Sequence, residues 1–518
     1  MSKKINFQES KEFSLNYFVI LIGIFVIGLI IRFYYLPFEI PVVLDAESYF
    51  WYANDMSILK QMPVNYSPHN NFWPSILSVL FIMNPSQEIL DYMNMQRILS
   101  VIISSSIVFP MYFLCKKFFP AKYALLGASF FILDPRIIIN SVLGITEPIY
   151  LLVGVTVILF SLNKNEKFQY ISFGLAAIFS LIRYEGLLIL IPLTISYFWK
   201  FRINQKSILK YILCTIIFVL VLLPMIETRI QATGQDGLTS HISSKGDNAV
   251  NTISGTNEKI QSSEFVKNGV FNTIKFLGWI TIPLWILLLP YGIWKYFKNL
   301  DFQKGSLLLF SIILILPAIY AYSRDISETR YLYILFPLFS VISLYSIKKI
   351  TERRNYKTIA SLILVIIIFI SIGWIEYKWI DKEYEKEVFE LSFKIKETAG
   401  GVNEFYPEST YLKFIDKNEE FPKMKNQYEQ YKTFSIINYK TIEEFIVNER
   451  ENGLTHIISD KSQNDKSQRE EFLIQVFNDE EKYQFLKKVF DSKEEGFNYH
   501  MKIFEIDYDL FDEYMDSK

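Results

Sequence analysis

Apolar residues in this chain come in long unbroken runs separated by charged turns, a pattern that predicts membrane-spanning helices. The first run, 16–36, is long enough to cross a hydrocarbon core of about 30 Å at about 1.5 Å per residue. Further runs lie at 97–114, 123–139, 148–162, 170–182, 187–199, 211–226, 274–294, 306–322, 331–347 and 358–374. Together they predict roughly eleven spans. A shorter run, 72–83, opens at Trp73-Pro74 and reads as a re-entrant or interfacial helix.

Basic residues orient these spans. Lys3, Lys4 and Lys11 precede the first run, which predicts a cytoplasmic N-terminus. Alternate turns then carry Lys116, Lys117 and Lys122; Lys164 and Lys167; Lys200, Arg202, Lys206 and Lys210; Lys295, Lys298 and Lys304; and Lys348, Lys349, Arg353, Arg354 and Lys357. The opposite turns carry Asp45, Glu47, Asp55, Glu88, Asp91, Glu147 and Asp236, with few lysines. An odd number of spans then places the C-terminus outside. Two outer segments are long: 37–96, with aromatic and amphipathic stretches suited to interfacial helices, and 228–272, a Ser/Thr/Asn/Gly-rich loop.

From about residue 376 the pattern turns polar and charged. The expected organisation is a mainly α polytopic bundle, 1–375, followed by a soluble extracytoplasmic α/β domain, 376–518. In that tail, 433–439, 455–459 and 501–508 alternate as strands. Residues 441–452 read as a helix opened by Thr441, with Glu444 three residues on.

Composition agrees with this class and narrows the partners. The chain is 51% hydrophobic with a net charge of −1 and a mean hydropathy of +0.20. These values fit a multi-pass protein of the cell membrane among membrane lipids and point to no nucleic-acid partner. Its two cysteines, Cys115 and Cys214, lie beside or within apolar runs and make neither a disulfide framework nor a Cys-x-x-Cys motif. The first run lacks a small-residue cleavage site, so it reads as a retained span.

Candidate chemistry gathers at the outer ends of the spans. Asp45 and Glu47 follow Pro37 and Pro41, which predicts an extended segment with both carboxylates on one side, facing one cavity. A solvated acidic loop is the plainer alternative. Glu147, in Thr146-Glu147-Pro148, fits a helix start and equally a second acid facing that cavity. Arg183 ends a run, where it either pairs with Glu185 or binds a phosphate. Arg324, Asp325, Glu328 and Arg330 form the densest charged cluster at a span boundary. Arginine on that outer side runs against the usual orientation bias, and an anionic ligand supplies a reason, since a guanidinium bonds two phosphate oxygens at once. His69 follows Tyr66-Ser67-Pro68 in the first outer loop as a candidate contact. The other histidines lack metal-ligand spacing, and Asn65-Tyr66-Ser67 is a weak glycosylation sequon.

In this order and placement, Leu44-Asp45-Ala46-Glu47-Ser48-Tyr49, Tyr66-Ser67-Pro68, Phe72-Trp73-Pro74, Thr146-Glu147-Pro148, Arg183, and Arg330-Tyr331 with Pro337 beyond resemble the GT-C superfamily of membrane glycosyltransferases. The branch they resemble is that of protein O-mannosyltransferases and the aminoarabinose transferase of lipid A. The Trp-Trp-Asp-type motif of oligosaccharyltransferases is absent from the tail. The resemblance implies transfer of a sugar from a polyprenyl-phosphate donor to a hydroxyl of a protein, lipid or glycan acceptor, with inversion. It implies Asp45 as general base, with Glu47 and Glu147 beside it, and Arg183, Arg324 and Arg330 on the donor phosphate. Tyr66, His69, Glu328 and Tyr331 are then candidate substrate contacts. The family's Asp-Glu pair is spaced here as Asp45-Ala46-Glu47. No cofactor is required by this reading, and a divalent ion bridging Asp45 and Glu47 stays open. A lipid or sugar transporter or flippase is the rival class, although the charges gather at one face and no internal repeat is visible.

Overall fold

The structure is a computed structural model that describes residues 15–518 except 65, 67–70, 85, 240, 242, 244–261, 353–354, 379–381, 405–420, 429–430, 438 and 461–470. The chain divides into two compact units. One comprises Met1–Leu36, Leu44–Met83 and Asn94–Glu376; the other comprises Pro37–Val43, Asn84–Met93 and Tyr377–Lys518.

The described part of the larger unit is helical. It runs through α1 (Leu15–Tyr34), α2 (Asp45–Leu59), α3 (Phe72–Ile82), α4 (Ile89–Ser106), α5 (Val108–Lys116), α6 (Ala121–Ile132), α7 (Pro135–Ser141), α8 (Glu147–Ser161) and α9 (Lys167–Ile182). After a 3-10 turn, Tyr184–Ile189, come α10 (Leu190–Phe201), α11 (Gln205–Thr233), α12 (Ser262–Ile280), α13 (Leu289–Phe297), α14 (Phe302–Leu314) and α15 (Leu316–Ser323). A second 3-10 turn, Thr329–Leu335, leads into α16 (Phe336–Thr351) and α17 (Tyr356–Lys378).

Among the described residues, six helices are long and apolar enough to cross a membrane, and the pair α6–α7, bent by 54°, brings the number to seven. The expected count of about eleven is therefore not reached by such helices, and several of the predicted runs form shorter or broken ones. Helix α8 has 15 residues and α9 has 16, each shorter than the roughly 20 that a straight crossing needs. The run at 123–139 is broken where Asp134 caps α7, its side chain accepting from the Arg136 amide at 2.9 Å and from Trp285 Nε1 at 3.0 Å. The run at 306–322 breaks at Ile315, ahead of Pro317.

Charged groups also lie within the bundle. Arg32 of α1 is 0% exposed and donates to Gly28 O (2.9 Å), Ile132 O (2.9 Å), Ser141 Oγ (3.1 Å) and Ser104 Oγ (3.3 Å). An unpaired buried guanidinium would be strongly destabilising; with its donors met, it ties α1, α4, α6 and α7 together.

The segment around Asp45 departs from expectation. Leu44 turns the chain at φ 55°, and Asp45 and Glu47 both enter the first turn of α2. Two residues along a helix are about 200° apart, so the two carboxylates diverge instead of sharing a side. The prolines govern only the segment before Leu44, whereas two acids favour the positive end of a helix.

The second unit holds a five-stranded mixed sheet, ordered β2-β1-β3-β5-β4. Its elements are α18 (Lys382–Thr398), β1 (Gly401–Asn403), β2 (Lys432–Phe434), α19 (Ile442–Glu449), β3 (His456–Asp460), α20 (Glu471–Asn478), β4 (Leu486–Asp491), β5 (Met501–Ile506) and α21 (Tyr508–Asp516). β1 runs parallel to β2 and β3, while β5 pairs antiparallel with β3 and β4. Thr441 caps α19, accepting from the Glu444 amide at 3.2 Å. Phe445, Ile457, Val476, Phe485, Phe504 and Phe511 bury together as its core, each such side chain contributing about 1.5–3 kcal/mol. Strands β3 and β5 match the alternation in the sequence; β1 and β4 did not show in it.

Candidate functional site

Four chain breaks in the larger unit deliver charged side chains to one place. The start of α2 supplies Asp45, the start of α8 supplies Glu147, and the two 3-10 turns carry Glu185 and Arg330, with Arg183 and Glu328 just ahead of them. Gln96, fully buried on α4, holds two of these starts in register. Its side-chain amide donates to Ala46 O at 2.9 Å and to Gly144 O at 2.8 Å. Gly144 sits at φ +79°, a left-handed conformation that favours glycine.

From these starts runs a chain of ion pairs. Arg183 donates from Nε to Glu185 Oε1 (2.6 Å) and from Nη1 to Glu147 Oε1 (2.8 Å). Glu147 Oε1 also faces Arg330 Nη1 at 3.5 Å. Arg330 Nη2 donates to Asp45 Oδ2 at 2.7 Å, and its Nε lies 3.5 Å from Glu328 Oε2. Arg183 adopts an extended conformation at the end of α9. The turn that follows packs so closely on α9 that a Cβ at Gly186 would stand 2.6 Å from Phe179 O. Burial works against the Arg183 charge, but Glu185 and Glu147 outweigh it and raise its pKa well above the usual arginine value.

Glu147, Arg183, Glu185 and Arg330 of this chain line a narrow cleft of about 30 Å³ free space, together with Tyr150, Tyr331, Tyr333 and apolar residues from α14 and α15. This holds a water or two and not a sugar phosphate. Glu147 is 4% exposed. The second oxygens of Glu147 and Glu185 are buried, with no protein donor among the described residues. Four carboxylates (Asp45, Glu147, Glu185 and Glu328) face two guanidiniums, a formal excess of two negative charges.

The other sequence candidates fall elsewhere or outside. The Asp45 side chain is 56% exposed, because it sits at the open end of the chain of ion pairs. Glu328 is similarly open, and Tyr331 lies in the cleft wall, its ring 5.5 Å from the Arg183 guanidinium. Arg324 is exposed and lies 6.0 Å from the Tyr320 ring; among the described residues no ion pair joins it to the chain. Tyr66 contacts Asp55 Oδ2 at 2.7 Å and stacks on Tyr52. Asp55 lies ten residues beyond Asp45 on α2, about 15 Å along the helix, so Tyr66 belongs to a different spot. His69 and Asn65 lie outside the described residues. Among the described residues no group of three or more His, Cys, Asp and Glu side chains could hold a metal ion. With Asp45 and Glu47 diverging and Asp45 held by Arg330, the pair does not fit a bridging divalent ion.

Sequence reasoning did not single out Gln96, Tyr150 or Tyr333. Tyr150 was within reach, since it stands three residues after Glu147 and so on the same helix face. The His241 ring meets that of Tyr184, the neighbour of Arg183, at 4.1 Å between centroids.

No protein-family model matches this chain, and no curated protein is significantly similar to it. Solved structures do match. The oligosaccharyltransferase AglB from Archaeoglobus fulgidus, in complex with an inhibitory peptide and a dolichol-phosphate, aligns with a TM-score of 0.48 at 11% identity, covering 85% of this chain and 69% of that one. ArnT from Cupriavidus metallidurans bound to undecaprenyl phosphate aligns with a TM-score of 0.50 at 9% identity, covering 95% of this chain and 98% of that one. Apo ArnT gives a TM-score of 0.52 with the same identity and coverage. This chain is thus similar in fold to ArnT over 95% of its length.

Proposed function

We propose that this protein is a membrane glycosyltransferase that moves a sugar from a polyprenyl-phosphate carrier to an acceptor hydroxyl at the outer face of the membrane. The observation that carries this reading is the ion pair of Asp45 and Arg330, which lie 285 residues apart. It sets a hydroxyl-activating group beside a phosphate-binding group, in a fold like that of ArnT, one structure of which holds undecaprenyl phosphate. The basic turns put the N-terminus in the cytoplasm and this site outside, beyond the reach of cytosolic nucleotide sugars.

In the reaction, Asp45 takes the proton of the acceptor hydroxyl as its oxygen bonds to the anomeric carbon. The bond from that carbon to the carrier phosphate breaks, and the phosphate leaves with the electron pair. Arg330 stabilises the charge that builds on the departing phosphate. Attack from the opposite face inverts the anomeric centre. Arg183, already held by two carboxylates, fixes Glu147 and the cleft wall and leaves Arg330 as the main phosphate ligand. The unpartnered oxygens of Glu147 and Glu185, buried in the cleft, suit a water or two. Arg324, exposed at the end of α15, is placed to meet a lipid phosphate on its approach.

The test is incubation of purified protein and membrane extract with labelled polyprenyl-phosphate sugars, followed by identification of the labelled product. Asp45→Asn should lower the transfer rate by at least about a hundredfold while leaving expression and thermal stability near those of the unaltered protein. Transfer at a near-normal rate would remove Asp45 as base.

A further inference from the structure

We infer that Arg330 masks the base until the donor arrives: the donor phosphate draws Arg330 away from Asp45 and so frees the carboxylate for the acceptor. The inference rests on the function proposed above and concerns the order of events at the same site. Arg183 is closely engaged on two sides, by Glu185 at 2.6 Å and Glu147 at 2.8 Å. Arg330 has one close bond, to Asp45 at 2.7 Å, and two looser contacts at 3.5 Å, to Glu147 and Glu328. The guanidinium most able to accept a phosphate is therefore the one that holds the base.

Charge points the same way. With Asp45 and Glu328 at its open end, the chain of ion pairs carries an excess of two carboxylates and repels an anionic headgroup unless a carboxylate gives way. Glu147 is buried and shared with Arg183, whereas the Asp45 side chain is 56% exposed and turns to water at little cost. The phosphate then replaces Asp45 on the guanidinium, exchanging one charge-assisted bond for another. An acceptor that arrives first meets a carboxylate whose Oδ2 is occupied. The donor therefore binds before the acceptor.

The test measures binding of sugar-free undecaprenyl phosphate to the full-length protein in lipid nanodiscs. If Asp45 competes for Arg330, then Asp45→Asn should bind undecaprenyl phosphate about threefold to tenfold more tightly than the unaltered protein, while losing transfer. Asp45→Ala should do the same, and Glu328→Gln should tighten binding less, as its longer contact implies. Arg330→Ala should weaken binding. Unchanged or weaker binding in both Asp45 variants, with transfer lost, would overturn the masking of the base and leave its catalytic role standing. Transfer retained in Asp45→Asn would overturn the proposed function and the inference with it, whatever the affinity.

Discussion

Arg183 shows at the level of single residues how strongly context decides a role. By type and position it reads equally as a phosphate ligand or a partner for Glu185, and two short bonds in the fold make it the link between Glu185 and Glu147. Its side chain is 17% exposed and that of Glu147 is 6%, so removing the arginine strands two carboxylates in a poorly hydrated wall. Arg183→Met should cost roughly 3–5 kcal/mol, read as a lower melting temperature in detergent. A melting temperature within about a degree of the unaltered protein would show that the pair contributes little. The same logic separates Asp45 from Glu47. Two positions of spacing suit one cavity in an extended chain, but the positive φ of Leu44 starts a helix and sends them apart.

Elements matter here through their starts and breaks. Apolar runs mark helices well, yet the site is built where helices begin or change to a 3-10 turn, and the two deciding turns carry a weak local signal. Gln96 is the element-scale link, since one amide group spans from the first turn of α2 to the loop before α8. Gln96→Leu keeps the volume and removes both bonds, so Asp45 and Glu147 lose their common register. The transfer rate should fall about tenfold or more, with the affinity for undecaprenyl phosphate within about twofold of normal. A matching loss of affinity would mean that Gln96 supports the phosphate ligand instead. In the sequence Gln96 is one polar residue at the edge of an apolar run, and nothing in its spacing distinguishes it from a boundary residue.

At the scale of the whole molecule, a helical membrane unit and a mixed α/β unit share one chain, and the second carries a pH response of its own. In the second unit burial lowers the pKa of His456 on β3 below its usual 6.5, outweighing the nearby Glu505. The folded unit thus resists a proton that the unfolded chain accepts. Stability present above about pH 6.5 is therefore lost as the pH falls towards the lower folded value. In the intact protein, amides of β3 and β5 should lose exchange protection between about pH 7.5 and 5.5, after correction for intrinsic rates. His456→Gln should remove that loss. An unchanged pH dependence in the variant would assign it to other groups.

Sequence alone determined the membrane class, the polar tail, several of its elements and the identity of Asp45, Glu147, Arg183 and Arg330 as candidates. Hydrophobic period and charge asymmetry are local quantities, and each is written along the chain. Tertiary structure decided which candidates meet. It brought Asp45 to Arg330, fixed Arg183 between two acids, left Arg324 and Tyr66 apart from the chain of ion pairs, and recruited Gln96 and Tyr150. The physical reason is that an ion pair or buried hydrogen bond depends on distances across elements far apart in sequence, which helix breaks and packing set and no local pattern encodes.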